Sequence, residues 1–458
     1  MVNWQLFDRL LNRANPPLRK RITDEVKKYE HEVLPPLITT DDLPSKIPYE
    51  YRTNIITPNL HIGQRKLYLT ELEFLNLYYA KRGGKSQSKV KSSSASVNNT
   101  PIIVYAGAAP SNHTFFLHEL FPDIKWVLVD PAPFELYLDT YRTSHRTVKH
   151  DEIIHLKTGT KSYSGNRVNI DLKSTNKKEV CKFIQETPYK FYIIEDFMTI
   201  DLAKTFEPLN CLFISDIRTN SNDTKGTSGV ANANIDLFPL DLDVIWNNAQ
   251  QYNWIRTIKP QMFMVKFRTY YYDNNPEEKM DNHPIIDDLK YAKDKYKIDF
   301  MADYRKHQVK FLVGKLYLQC YAPFKSTETR IIGSTYEKNM TIDNSDYESQ
   351  MFYFNVVQRS FIQHVNPMED PSKGCDRCND CAKQTFLLNQ YAKLFPNNRI
   401  NMNKVMFQLN FVSNKTLLNP PNLQISHGAM FGINDKFLER IWALRHNKYR
   451  DHDDMPDT

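Results

Sequence analysis

The stretch that decides the fold is Ile102–Phe134, IIVYAGAAPSNHTFFLHELFPDIKWVLVDPAPF. An apolar run, Ile102–Val104, leads into a turn of small residues, Gly107, Ala108, Ala109 and Pro110. Helical spacing follows from Asn112 to Leu120, and a second apolar run, Trp126–Val129, ends on Asp130. The order is strand, turn, helix, strand, acid. Small residues let backbone approach a ligand, and a helix N-terminus offers free N–H groups. An acid about 20 residues beyond such a turn is placed to take the hydroxyls of a ribose. A single glycine makes a poor phosphate cradle, so the turn suits a nucleoside without a charged phosphate tail, such as S-adenosylmethionine. An ordinary βαβ unit fits this stretch alone equally well.

Further along, Phe191–Ile194 and Leu212–Ser215 are apolar runs with the character of buried parallel strands, the second ending on Asp216 in CLFISDIR. Residues 231–257 are expected to form a helix, and QMFMVKFR, 261–268, a strand with Lys266 near its C-terminal end. Stretches 307–323 and 329–334 have the pattern of antiparallel strands at the sheet edge, and Glu328 opens the second. Ligands of open α/β sheets bind at the C-terminal ends of the strands. Asp130, Asp216 and Lys266 all fall there. A lysine acting as a base needs its pKa, ordinarily about 10.4, brought down. Burial and a second cation such as Lys66 do this, while Asp216 and Glu328 oppose it and fix geometry. Lys66 lies in the first turn of a helix expected over 64–82, where a cation is disfavoured by the helix dipole. An exposed lysine is the plainer reading there.

The 458 residues allow about three domains of ordinary size. Segment 1–60 is expected to be an N-terminal extension, 61–345 the α/β domain, and 346–458 a helical or irregular region. Within the extension, 3–13 has amphipathic helical spacing, Pro16 and Pro17 are expected to break it, Arg19–Glu32 to form a solvated helix, and Pro35, Pro36 and Pro48 to mark an extended linker. The Ser/Lys-rich stretch 83–100 reads as a flexible insertion. Hydrophobic residues make up 41%, enough for a real core. The net charge of +7, with 60 Lys and Arg, suits a basic face for nucleic acid as well as a merely soluble one. Six cysteines in this length favour a reducing compartment. The sequence lacks an uninterrupted membrane span and an apolar signal core, so a cytoplasmic chain without a membrane partner is expected. In CDRCNDC, Cys375, Cys378 and Cys381 recur at zinc-like intervals, with His364 or an aspartate as a possible fourth ligand. Structural zinc and three reduced thiols both remain open, the thiols favoured, and no metal is assigned.

Lys66, Asp216, Lys266 and Glu328, in that order, resemble the K-D-K-E tetrad of FtsJ-type RNA 2′-O-methyltransferases. GQRKLYLTELEFL, VYAGAAPSNH, KWVLVD, SDIR, VKFR, YAPFKSTETR and DYESQMFYFN each resemble, in register over about 63–355, the poxvirus cap-specific mRNA 2′-O-methyltransferases that also serve as small subunits of poly(A) polymerase. The insertion and the length suggest another large DNA virus. The resemblance implies a Rossmann-like S-adenosylmethionine-dependent methyltransferase with a mixed central sheet and extra N- and C-terminal elements. It implies capped mRNA as substrate, and a viral poly(A) polymerase or transcription machinery as partner. It places S-adenosylmethionine against Gln64, Tyr105, Gly107, Ser111, Asp130, Phe197 and Met198, and makes Lys266 the general base. A cationic 7-methylguanine would be stacked by Tyr271 and held by Asp273 and Glu348. The turn departs from the family where Ser111 replaces a glycine. Ala132 stands where an arginine is expected, and Lys325, beside Phe324, where a second stacking ring is expected. The pocket-closing tyrosine has no clear counterpart other than Tyr49 or Tyr51. Methylation of another RNA, such as rRNA, and a non-catalytic processivity role are the alternatives.

Overall fold

The computed structural model describes residues 2, 4–50, 63–83, 100–111, 113–134, 152–157, 167–172, 175–217, 241–270, 285–323, 326–365 and 378–396. The chain divides into two compact units. One comprises 90–316 and 329–344; the other comprises 1–89, 317–328 and 345–458.

The first unit is α/β. Its strands are β1 (Ile102–Ala106), β2 (Lys125–Val129), β3 (Ile153–Lys157), β4 (Arg167–Asp171), β5 (Phe191–Ile194), β6 (Leu212–Ser215), β7 (Met262–Phe267), β8 (Lys315–Tyr317) and β9 (Thr329–Gly333). They form a mixed sheet in the order β8-β9-β7-β6-β1-β2-β5-β3-β4. β1, β2, β5 and β6 are buried along their whole length. That is the consequence of helices covering both faces of a parallel sheet. β1 pairs in parallel with both β2 and β6, and β6 with β7. β9 runs antiparallel to β7, with Arg330 opposite Lys266. The expected antiparallel edge is therefore present, with one change: Gln308–Leu312 leaves the central sheet and pairs with Asn339–Asp343 in a separate two-stranded sheet. The helix expected over 231–257 is described as Asp241–Ile258, and 231–240 lies outside the described residues.

Lys125, at the start of β2, shows how a charge is accommodated inside this unit. Its Nζ donates to the carbonyls of Ile184, Gln185 and Thr187 at 2.8, 2.8 and 2.7 Å. These lie at the end of helix Lys177–Glu186, where carbonyls lack helical partners. Burial still brings its pKa down to about 8.

His118 has no such acceptor cage. It lies in the helix Thr114–Leu120 with its ring edge-on to Phe191, centroids 5.2 Å apart. Burial first, and Lys190 second, bring its pKa down to about 4, against a weaker pull from Glu152. A base with a lowered folded pKa stays neutral in the fold and charges in the unfolded chain. Its stabilisation is complete above about pH 6.5 and is lost as the pH falls towards 4. The expected slope in that window is at most about 1.4 kcal/mol per pH unit. Thermal melts of the wild type and His118→Gln between pH 7 and 4.5 check this. The wild type should lose more stability than the variant, and parallel curves would exclude His118 as the cause.

The second unit is mainly helical and corrects three expectations for the N-terminal segment. Pro16 and Pro17 do not end a helix; they begin one, Pro16–Lys27, with Asn15 as N-cap accepting from Leu18 N at 2.8 Å. Proline suits the first helical turn because its missing N–H would be unpaired there anyway. The helix is only half solvated, burying Leu18, Ile22 and Val26. With Phe7 and Leu11 these pack against Phe352, Tyr353, Val356, Val357, Phe361 and Ile362. The proline-marked segment is no free linker either. Val33–Leu34 pairs in parallel with Gln363–His364, Leu318 N donates to Ile38 O at 2.9 Å, and Leu37 and Ile47 are buried. Helix Asn379–Leu394 is tied to helix Gly63–Lys81 by a buried Lys383–Glu73 pair at 2.9 Å and by Asn76 donating to Leu387 O. Among the described residues, no helix is long and apolar enough to cross a membrane.

Candidate functional site

The strand order reverses between β1 and β6: from β1 the chain continues to β2 on one side, and from β6 to β7 on the other. The crevice at the C-terminal ends of two such strands is where an open α/β sheet receives a ligand. Gly107 follows β1, and Asp216 follows β6. The Asp216 amide donates to Ala106 O at 3.0 Å, which fixes the two strand ends together. Gly107 has φ +75, and a Cβ placed on it would lie 2.9 Å from Asp216 C and from Ile217 N. Both the left-handed backbone and the absence of a side chain are needed there. Gly107→Ala is expected to cost about 3 kcal/mol, from backbone strain and overpacking against backbone that has no rotamer to change. Denaturant unfolding of the α/β unit measures it, and a loss below 1 kcal/mol would contradict the close contact.

Asp130 closes the same turn from β2. Its Oδ2 accepts from Ala109 N at 3.1 Å and its Oδ1 from Ala132 N at 2.8 Å. Burial raises its pKa, these two bonds oppose the rise, and the negative Asp216 adds to it. Two acids from different strands thus act on one another at the crevice. Ser111, where a glycine is expected by resemblance, keeps the glycine-like backbone: its φ is 60. It is buried, and its Oγ lies 2.6 Å from Thr114 Oγ1. The helix begins at Thr114 rather than at Asn112. Past β5, Phe197 is 64% exposed while Met198 is buried. Tyr105 is a buried mid-strand residue of β1.

Asp216 is held by two cations. Its Oδ1 lies 2.7 Å from Arg330 Nη2 and 3.2 Å from Lys266 Nζ. Arg330 is 1% exposed, and Gln251 Nε2 donates to Lys266 O at 2.9 Å. Sequence reasoning missed Arg330. Its signal was a charged residue inside TRIIG, an otherwise apolar strand two positions past Glu328.

In the helical unit, Lys66 is buried rather than exposed and pairs with Glu328 at 2.7 Å. Gln319 Nε2 donates to Glu328 Oε1 at 3.1 Å and to its carbonyl at 2.8 Å. The four residues that resemble the tetrad form two ion pairs, Lys66–Glu328 and Lys266–Asp216, one within each unit. Gln64 lies in the first turn of helix Gly63–Lys81. Glu348 is not the solvated acid its helix-start position suggests; it is 5% exposed in helix Asn344–Tyr353. Its neighbour Tyr347 donates its hydroxyl to Thr327 O. Tyr49 packs edge-on to Phe352 at 5.6 Å. Tyr51, Tyr271, Asp273, Phe324, Lys325 and Cys375 lie outside the described residues. His364, a possible fourth zinc ligand, has Nδ1 2.9 Å from Pro35 O and Nε2 3.3 Å from Gln358 O. Among the described residues no group of three or more His, Cys, Asp or Glu is placed to hold a metal.

The comparison with protein families bears on this geometry. Residues 32–179 match the family described as "Poly A polymerase regulatory subunit". The match covers β1, the Gly107 turn, β2 and Asp130, together with the segment carrying Lys66. It ends before Asp216, Lys266, Arg330 and Glu328. No curated protein matches the chain.

Proposed function

We propose that this chain is a regulatory partner of a poly(A) polymerase. The observation that carries the reading is the family match over 32–179, which spans the segment organising the sheet. The test is tail synthesis by a template-independent adenylyltransferase of the same genome, with and without the full-length chain. Longer tails per binding event are expected, together with co-elution of the two proteins. Unchanged tail length with no co-elution would remove the reading.

A second activity is favoured by the crevice: methyl transfer to the ribose 2′-oxygen of RNA, with the first nucleotide of capped mRNA as the preferred substrate. S-adenosylmethionine fits the residues present. Gly107 supplies the left-handed backbone of the turn, Asp130 is oriented by two backbone N–H groups at ribose-binding distance in sequence, and Phe197 offers an exposed ring for the adenine. The cofactor would supply a sulfonium-activated methyl group. Lys266 takes the proton from the ribose hydroxyl. Asp216 orients Lys266, and Arg330 anchors Asp216 through the same carboxylate oxygen. Lys66 and Glu328 complete the tetrad by resemblance, and Glu348 would hold the cap base. Radiolabelled methyl transfer to matched RNAs, one with a 7-methylguanosine cap and one uncapped, tests this. Label confined to the first transcribed nucleotide of the capped RNA supports the reading; equal label moves the substrate to another RNA, and none on either removes it.

A further inference from the structure

Gln319 is the one amide in a buried run, 317–322, YLQCYA. It is 3% exposed. Its Nε2 donates twice to one residue, to Glu328 O at 2.8 Å and to Glu328 Oε1 at 3.1 Å. That Oε1 is also the atom that meets Lys66 Nζ at 2.7 Å. Lys66, Gln319 and Glu328 all belong to the helical unit. The other end of the amide has no such use: Gln319 Oε1 is buried and meets no donor among the described residues. A buried acceptor without a donor is destabilising. Turning the amide over would not relieve it, because Oε1 would then face the carbonyl and carboxylate of Glu328, both acceptors. Leucine or methionine at 319 would avoid the cost and match the apolar neighbours.

The backbone close by is strained as well. Tyr321 is 3% exposed and has φ 53, a left-handed conformation that a bulky residue rarely adopts. It is held at ring and hydroxyl: Arg65 lies over its ring at 4.4 Å, and its hydroxyl donates to Gln384 Oε1 at 3.2 Å. Arg65 precedes Lys66 in helix Gly63–Lys81, so the first turn of that helix engages both Tyr321 and Glu328. Backbone strain and an orphaned buried polar atom persist in a fold where function requires them.

On the methyl-transfer reading, on which this inference rests, Lys66 and Glu328 complete the tetrad. We propose that Gln319 is a positioning residue for that reaction, fixing the Glu328 carboxylate in the orientation that holds Lys66. Gln319 acts through Glu328 rather than on substrate. One of its two N–H groups fixes the Glu328 main chain, and the other stops rotation of the carboxylate. The Lys66 ammonium is thereby left with one place to lie. Positioning of this kind changes the rate of a bound complex and leaves binding unchanged.

The test is radiolabelled methyl transfer to capped RNA by the full-length chain carrying Gln319→Met. Methionine keeps the length of the side chain and removes both the NH2 group and the orphaned acceptor. The kcat should fall about ten-fold or more, the loss expected with a hydrogen bond to a charged group. KM for RNA, and Kd for S-adenosylmethionine by calorimetry, should stay within about two-fold. The melting temperature should be unchanged or higher, since the unpaired acceptor is gone. A glutamine with a purely structural role would lose stability and activity together; that result, or an unchanged kcat, overturns the proposal. Gln319→Glu serves as a second variant should the first fail to fold. Its added carboxylate faces Glu328, and two neighbouring carboxylates resist ionising together. The ratio of variant to wild-type rate should therefore rise as the pH falls from about 8 to 6. A ratio near one, or one independent of pH, overturns the proposal. The wild type separates the two failures. No label on any RNA from the wild type removes the methyl-transfer reading and this inference with it, whereas label from the wild type and full kcat in Gln319→Met removes the inference alone.

Discussion

Arg359→Met should lower the stability of the helical unit by about 3–5 kcal/mol, the usual loss when one partner of a buried ion pair is removed. Arg359 is 1% exposed. It grips Asp380 with Nε at 2.9 Å and Nη2 at 2.8 Å, and Nη2 also donates to Ala322 O at 2.8 Å. Methionine fills much of the volume but leaves Asp380 charged, buried and beside the helix thiols. The pair itself is not the source of the loss. A double variant, Arg359→Met with Asp380→Asn, should regain a large part of it, because no lone charge then remains. Hydrogen exchange of helices Asn344–Tyr353 and Asn379–Leu394 reads the effect locally, where a global melt would mix the two units. A single-variant loss below 1 kcal/mol would mean that water reaches Asp380.

Lys266→Ala should reduce methyl transfer by about 10²–10⁴-fold, the range removed with a positioned general base. Binding of S-adenosylmethionine, by calorimetry, should change little, because the turn at Gly107 and Asp130 is untouched. Lys266→Arg should be nearly as inactive, since a guanidinium keeps the charge and the Asp216 contact but does not give up its proton. Activity persisting in both variants would remove the base assignment while leaving the polymerase-partner reading unaffected. Arg330→Met should lower the rate less, because Lys266 stays in place while Asp216 loses the guanidinium that anchors it.

The sheet was legible because parallel strands buried on both faces are continuous apolar runs, as in Ile102–Val104, Trp126–Val129, Phe191–Ile194 and Leu212–Ser215. The strand-terminal acids Asp130 and Asp216 were legible for the same reason, since each ends such a run. The N-terminal segment was not. Pro16 and Pro17 carry the same chemistry at the start of a helix as after its end, and only the partner of Leu18, Ile22 and Val26, more than 300 residues away, decides between them. Lys66 and Glu328 had no local signal of pairing. They lie 262 positions apart, and only resemblance, not spacing, points to the pair. Arg330 was hidden by the opposite error, an apolar strand taken as structural throughout.

The division of the chain has a consequence during synthesis. The α/β unit lies wholly within 90–344, whereas the helical unit takes its parts from both ends and from 317–328. Phe7, Leu18 and Val26 therefore leave the ribosome long before Phe352 and Val356, against which they pack. At about 5–20 residues per second, the delay is roughly 15–70 s. For that interval the first two helices present an apolar face without its native cover, while the sheet that follows them can complete its own core. The helical unit is completed last, and its segment 4–27, made long before the residues that cover it, is where a holding chaperone would act.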